Sequence, residues 1–360
     1  MSLIEDLLQE LCPAGVEHVD LGSVVRIRNG SDYKALGAGD VPVYGSGGVM
    51  TFVDTPVHDG PSVLIPRKGS LGNLFYVDEP FWTVDTIFYT EMDASRLIPK
   101  FFYYVMFTQR LAEKNQAGGV PSMTQSCLKR LRIPVPPLEV QREIVRVLNK
   151  FTQLEAELEA ELEARRTQYE HYRTELLTFG DGVPRRLLGD IATIGTGSHD
   201  TKDATADGEF LFYARGREPL RLDSYDFNER AIITAGDGVG VGKVFHFADG
   251  KYALHQRAYR VVPGEQVDSR FIYHYLVSDF SRYLEGTSVH ASVTSLRRPM
   301  FLKYPVPVPP RAEQERIVAT LDKLDALVND ISIGLPAELN ARRKQYEYYR
   351  ERLLTFKEAV

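Results

Sequence analysis

At 360 residues, with 43% hydrophobic and 26% charged side chains, the chain has room for two or three domains, each able to bury a core. No apolar run reaches bilayer length, and Met1-Ser-Leu-Ile-Glu-Asp carries no basic segment ahead of an apolar one, which excludes a membrane span and a signal peptide as expectations. The formal net charge of −6 argues against a strong stand-alone nucleic-acid binder, and two cysteines, Cys12 and Cys127, at no metal-ligand spacing suit a cytoplasmic protein with no disulfide framework.

The first element, within residues 1–15, is a short helix on the run Leu3-Ile-Glu-Asp-Leu-Leu-Gln-Glu-Leu11, expected to pack on a helical bundle. Residues 16–137 mix β-branched and aromatic runs with Gly/Pro turns. Strands are expected at Ser62–Pro66 and Leu74–Val77, and a helix at about Lys100–Glu113. Three segments here have ligand-contacting chemistry. The Gly-rich loop Tyr44-Gly-Ser-Gly-Gly48, with Ser46, lets backbone N–H groups approach a phosphate, or is an ordinary turn. Arg67-Lys-Gly-Ser-Leu-Gly-Asn73 offers Arg67, Lys68 and Asn73. The polar stretch Gly118–Gln125 offers Ser122, Thr124 and Gln125, residue types that contact bases and phosphates, or forms a surface hairpin.

A proline gate, Ile133-Pro-Val-Pro-Pro137, ends the domain and starts a helix over residues 138–180. Apolar residues recur at Ile144, Leu148, Phe151, Leu154, Leu158, Leu162, Tyr169, Tyr172 and Leu176. With Arg165 as the missing position, they form a heptad seam with one stutter. Leu154-Glu-Ala-Glu157, Leu158-Glu-Ala-Glu161 and Leu162-Glu-Ala164 are tandem four-residue units. Each adds about 6 Å of helix and about 40° of net rotation, close to the ~35° per base pair of DNA. Leu-Glu-Ala is also simply good helix sequence.

Residues 181–310 repeat the mixed pattern, with a strand at Lys243–Phe247 and a helix at Arg270–Leu284. Both domains are expected to hold a twisted, mostly antiparallel or mixed sheet. The matching loops are Tyr213-Ala-Arg-Gly-Arg217, with Arg215 and Arg217 able to fork onto guanine; Gly236-Asp-Gly-Val-Gly-Val-Gly-Lys243, with Lys243; and His290–Arg298, with Thr294, Arg297 and Arg298. His255-Gln-Arg257 adds Gln256, a partner for adenine, and Arg257. A second gate, Val306-Pro-Val-Pro-Pro310, opens a helix over 311–360. Its seam is Leu321, Leu324, Val328, Ile331, Leu335, Leu339, Arg342, Tyr346, Tyr349 and Leu353, with a stutter near Gly334-Leu-Pro336 where a kink or break is expected.

The chain is thus one unit written twice. Gln141-Arg-Glu-Ile-Val-Arg-Val-Leu-Asn-Lys150 matches Gln314-Glu-Arg-Ile-Val-Ala-Thr-Leu-Asp-Lys323, and Ala164–Arg173 matches Ala341–Arg350, each running on to Leu-Leu-Thr-Phe. The globular parts match faintly: Val16–Gly22 with Val183–Gly189, Phe101-Phe-Tyr103 with Phe271-Ile-Tyr273. Two different readers on a common frame explain why only the helices stayed alike. The narrow charged-flanked seams want partners, simplest as an antiparallel pair, or as a hairpin buried against the domains. Charge follows the same division. Residues 16–137 carry 12 basic and 12 acidic side chains, and 180–310 carry 16 of each. If DNA is the ligand, another subunit is expected to supply much of the phosphate neutralisation.

Catalytic motifs are missing. Gly236–Lys243 is a near miss for a nucleotide loop, with Asp237 at the first glycine position and Val244 after the lysine. Gly-x-Gly-x-x-Gly, Gly-x-Ser-x-Gly, His-Glu-x-x-His and the Asn/Asp-Pro-Pro-Tyr/Phe run of adenine methyltransferases are absent. A stand-alone nuclease or nucleotide-binding subunit using loop 236–243 is the rival reading, and a protein-binding scaffold a third.

The alternation of two variable domains with two like helices, the gates, Glu-x-Gln-Arg-Glu-Ile-Val, and Arg-Arg-x-Gln-Tyr-Glu-x-Tyr-Arg with Leu-Leu-Thr-Phe resemble the specificity subunit of type I restriction–modification systems over essentially the whole chain. The resemblance implies an α+β fold: two target recognition domains joined by two long antiparallel coiled-coil helices, with a pseudo-two-fold repeat. It implies a non-catalytic subunit that reads double-stranded DNA. Each domain would read half of a bipartite site, while helical residues such as Leu154, Leu158, Leu162, Tyr169, Tyr172, Leu335, Leu339, Tyr346 and Tyr349 set the spacing and dock partners. Those partners would be methyltransferase subunits, expected as two, and a motor–nuclease subunit. S-adenosylmethionine, ATP and Mg would sit on them, with no cofactor or metal on this chain.

Overall fold

The computed structural model describes residues 2–114, 121–238, 240–287, 295–330 and 332–359. The chain divides into two compact units, residues 1–158 with 339–360, and residues 159–338. The central helix, Leu138–Leu176, runs for 39 residues without interruption and contributes to both.

In the first unit, a four-stranded antiparallel sheet orders Val25–Asn29, Ile87–Met92, Ser62–Pro66 and Phe75–Val77. A three-stranded sheet places Val41–Gly45 between Gly48–Val53, antiparallel, and Trp82–Thr83, parallel. Every residue of Ser62–Pro66 is buried because both its faces are covered. Val63 and Ile65 face the core under the helix Pro99–Thr108, and Leu64 faces Phe81 and Ile87 on the other side. The expected Lys100–Glu113 helix ends early at Thr108, and a 3-10 turn takes Leu111–Lys114. The second unit holds one mixed six-stranded sheet: Ala192–Thr196, Ala258–Pro263, Phe227–Ala235, Phe245–Leu254, Phe210–Tyr213, Leu220–Leu222, with one parallel pairing, Phe210–Tyr213 on Phe245–Leu254. Its helix is Ser269–Thr287.

Each proline gate pairs with the first strand of its domain, Arg132–Pro134 with His18–Asp20 and Pro305–Pro307 with Arg185–Leu187. A buried glutamine then fixes the gate to the rest. Gln141 Nε2 donates to Pro136 O and Arg96 O, both at 2.7 Å, and its Oε1 accepts from Ile98 N at 2.8 Å. Gln314 repeats this: Nε2 donates to Pro309 O at 2.8 Å and Oε1 accepts from Asp268 N at 2.7 Å. Ile98 precedes Pro99–Thr108, and Asp268 precedes Ser269–Thr287. One side chain therefore ties gate, long helix and domain helix together through backbone groups that would otherwise be buried without partners.

The same face carries a second matched pair with different chemistry. In the first unit, Tyr104 Oη donates to Asn149 Oδ1 at 2.7 Å. In the second, Asp322 stands where Asn149 does; Arg270 Nη2 donates to it at 2.5 Å, and His274 Nε2 lies 2.7 Å away. Burial raises the Asp322 pKa, but His274 and Arg270 outweigh it and hold it at about 2.

The helices pair antiparallel within the first unit. Phe151 stacks on Tyr349 with centroids 5.4 Å apart and meets Tyr346 at 6.2 Å, while Glu155 accepts from Arg343 Nε at 2.6 Å. In the second unit, Tyr169 Oη donates to Asp325 Oδ1 at 3.3 Å. Several seam positions need correcting: Arg165 and Arg342 are exposed, and so are two apolar ones. Leu154 and Tyr172 are 40% and 38% exposed, and the seam passes through Glu155 and Arg173 instead. The reason is local: the Arg343 ion pair draws Glu155 in, and the Arg173 guanidinium lies 5.4 Å over the Tyr169 ring. Leu158 is half-buried and Leu162 and Tyr169 are buried, on the seam. In the C-terminal segment Leu335, Leu339 and Leu353 are buried and Tyr346 and Tyr349 half-buried, while Ile331 lies outside the described residues.

The expected break is present. The helix Arg311–Asn329 stops, and Leu335–Leu353 starts a new one. Asp330 Oδ1 accepts from Ser332 N at 2.7 Å and Ile333 N at 3.3 Å, and Gly334 passes so close that a Cβ would lie 2.4 Å from Ala326 O. The N-terminal helix Ser2–Leu11 puts Ile4 in the same core as Leu353 and Leu354. The chain ends meet there: Val16 N donates to Lys357 O at 2.8 Å, and Ala359 N to Val16 O at 3.0 Å.

Replacing Gln141 with Leu strands three buried polar groups, and a loss of about 3 kcal/mol is expected in denaturant unfolding. A loss below about 1 kcal/mol shows the clamp to be dispensable. Asp322 gives a pH prediction. A carboxylate whose pKa falls on folding adds stability above its unfolded pKa of about 4 and loses it as pH drops through the folded value of about 2. Its side chain is 37% exposed, so solvent screening holds the contribution to on the order of 1 kcal/mol. Asp322→Asn is expected to flatten the stability loss between about pH 4 and pH 2; parallel acid limbs in wild type and variant refute this.

Candidate nucleic-acid interface

Three loops of the first unit come together. The turn after Val41–Gly45 carries Ser46, whose carbonyl accepts from Asn73 Nδ2 at 3.3 Å. Lys68 forms a bridge with Ser122, while Met123 N donates to Arg67 O at 2.9 Å and Gly69 N to Pro121 O at 3.0 Å. All three segments singled out in the sequence thus form one junction. Arg67 is half-buried with its guanidinium 5.7 Å from the Phe88 ring centroid. Lys68 and Asn73 are exposed and Ser46 and Ser122 half-buried. Thr124 is exposed but employed: its Oγ1 caps the helix Gln125–Lys129, accepting from Cys127 N at 3.2 Å. Gln125 Nε2 donates to Asn29 Oδ1 at 3.1 Å. The adjoining strand exposes Val49, Met50 and Phe52, which sequence reasoning passed over because a short β run gives no sign of which side chains lie outside.

The second unit builds the same junction. Asp237 bridges to Ser295 as Lys68 does to Ser122, and Leu296 N donates to Gly236 O at 2.7 Å. Gly69 and Gly238 share a φ of +81°, which only glycine adopts without strain, so Arg67–Gly69 and Gly236–Gly238 match residue for residue. The side chains differ. Asp237 Oδ1 accepts from Arg215 Nη1 at 2.9 Å and its Oδ2 from Arg257 Nη1 at 3.1 Å. Partial burial raises the Asp237 pKa, but the two guanidiniums outweigh this and keep it below the ordinary carboxylate value. Buried His255 has its pKa lowered by burial and by Arg215, and its Nδ1 accepts from Arg257 N at 2.9 Å, which fixes the turn. Gln256 Nε2 donates to Asp200 Oδ2 at 3.1 Å.

Arg217 and Lys243 are exposed, and no ion pair joins them among the described residues. Arg297 and Arg298 are exposed at the start of the helix Arg298–Leu302. Thr294 lies outside the described residues. Sequence reasoning missed Asp237 as a site residue, although alignment of Arg67-Lys-Gly69 with Gly236-Asp-Gly238 sets it opposite Lys68. The strand Phe245–Leu254 follows Lys243 almost at once, so this loop lacks the helix N-terminus on which a nucleotide loop places its phosphates.

Two domains that form one loop junction with different side chains, each leading into a like helix, make a reader with two unlike heads. The chain belongs to the type I restriction modification DNA specificity domain family, which matches it twice, over residues 13–164 and 182–341. A putative type I restriction enzyme specificity subunit of Haemophilus influenzae is 30% identical over 351 residues, covering 89% of each chain. The EcoR124I/EcoR124II type I specificity subunit of Escherichia coli is 31% identical over 303 residues, covering 74% of this chain and 73% of its own. The crystal structure of a type I restriction–modification S subunit from M. genitalium shares the fold, with a TM-score of 0.65 at 17% identity over 94% of this chain and 96% of that one. Among the described residues, no helix is long and apolar enough to cross a membrane.

The cap assigns Thr124 a structural role that can be checked. Thr124→Ala is expected to cost about 1 kcal/mol in thermal or denaturant unfolding, and Thr124→Ser to cost little because it keeps the acceptor. Equal losses for both variants reject the cap.

Proposed function

We propose that this chain is the DNA-recognition subunit of a type I restriction–modification complex, with each globular domain reading one half of a bipartite site. The carrying observation is the junction made twice in one backbone geometry with unlike side chains: Arg67, Lys68, Ser46, Asn73 and Ser122 in one domain, Asp237, Arg215 and Arg257 in the other. A shared bridge and left-handed glycine under different edges suit two different sequences, since base-edge contacts carry the sequence information. Gln125, Gln256, Arg217, Lys243, Arg297 and Arg298 are proposed as further contacts around these junctions, and Thr294 as a further contact.

The chain itself performs no chemistry in this reading and works in the cytoplasm. Two methyltransferase subunits, docked along the helices, would hold S-adenosylmethionine, and a motor–nuclease subunit would hold ATP and Mg. The exposed Leu154 and Tyr172, and the half-buried Tyr346 and Tyr349, are candidate docking positions. The units Leu154–Glu157 and Leu158–Glu161 lie within the unbroken central helix, where a change of length passes directly into spacing and rotation.

The test is to assemble the chain with its methyltransferase and sequence the methylated DNA. A two-part motif is expected, and deletion of Leu158–Glu161 is expected to change the gap by about one base pair while leaving both half-sites intact. A contiguous motif, or none, overturns the bipartite reading; an unchanged gap overturns the spacer.

A further inference from the structure

The Arg215–Asp237–Arg257 cluster has a geometry that says what it reads. The carboxylate is the sheltered member, with its side chain 25% exposed, while the arginines are 41% and 61% exposed. Each guanidinium spends one Nη1 donor on Asp237 and finds no other acceptor among the described residues. Arginine has five N–H donors, so each keeps a free fork. Holding the forks in advance removes part of the side-chain entropy that binding would cost.

Two target chemistries accept from such forks, phosphate and the O6/N7 edge of guanine. The Asp237 carboxylate separates them. Its negative charge cuts the cluster to a net +1 and so weakens the pull on a phosphate brought against the same guanidiniums. The neutral guanine edge, held by hydrogen bonds, loses less. The two oxygens of one carboxylate hold both forks in one cluster, which favours neighbouring over distant base pairs as their targets.

We infer that Asp237 is a positioning residue that presents Arg215 and Arg257 to two neighbouring guanines, so that the half-site read by the second domain contains two adjacent G·C pairs. The inference rests on the bipartite reading above. In the first domain the same backbone position holds Lys68, so the two half-sites differ at this point.

The experiment uses the assembled methyltransferase complex and sequencing of the DNA it methylates. The wild-type motif is expected to show two adjacent G·C pairs in one half-site. Arg215→Lys and Arg257→Lys keep the charge but lose the fork. Each is expected to lower discrimination at one of the two positions by about tenfold or more. Asp237→Asn is expected to relax both positions together. The other half-site stays unchanged in all three and reports that the variants fold and assemble. A motif without adjacent G·C pairs overturns the inference and leaves the bipartite reading standing. Lysine variants with an unchanged motif also overturn it. So does an Arg→Ala effect confined to uniformly weaker binding with a salt slope lowered by about one, the mark of a phosphate contact. A contiguous wild-type motif overturns both readings.

Discussion

The constraint on which both domains depend is a single buried amide. Gln141 and Gln314 satisfy the proline-gate carbonyls and the first N–H before each domain helix. Pro136 and Pro309 lie between the gate strand and the long helix, so their carbonyls belong to neither ladder. A glutamine has a donor and an acceptor at one tip, which suits a junction of two chain segments. Below this shared clamp the two copies diverge. The first starts its helix with Pro99, which has no N–H to satisfy. The second is capped by Asp268, whose carboxylate accepts from Arg270 N at 2.8 Å and Phe271 N at 3.1 Å. The frame tolerates either solution because the clamp, not the cap, sets where the helix begins.

The loop junctions follow the same logic one layer out. A backbone bridge and a left-handed glycine hold each loop, Gly69 in one and Gly238 in the other. The side chains on that support are then free to differ without loss of fold. Lys68 presents a cation, while Asp237 presents a carboxylate that gathers two. Change of recognition with retained structure requires this separation between the residues that hold a loop and those that face outward.

How much of this was legible in the sequence depends on the range of the interaction involved. The repeat, the gates and the C-terminal seam rest on local patterns, and the break at Gly334 lies where the stutter predicts it. The inward turn of Glu155 was not legible, because a charged residue reads as surface until its partner, Arg343, is known to lie opposite. The convergence of loops at 46, 68 and 122 was not legible either, since it joins residues far apart in the chain. Asp237 was visible as a failed glycine of a nucleotide motif, but its partners Arg215 and Arg257 come from two other loops. The residues were in view one by one, and the role of the carboxylate in gathering two of them was not.

The charge count gains its meaning from that carboxylate. Residues 180–310 carry 16 basic and 16 acidic side chains. In a protein that grips DNA by its phosphates alone, such a balance would be a handicap. In a reader whose phosphate grip comes from partner subunits, it has a use. Each acid set beside a cation lowers the non-specific attraction that would hold the domain on any duplex, while leaving guanidinium forks available to base edges. Asp237 removes one unit of charge from a two-arginine cluster and leaves both forks exposed. On the proposed reading, in which partner subunits supply the phosphate grip, the neutrality of the domains and the geometry of the cluster have one physical explanation: affinity is given up so that discrimination makes up more of what remains.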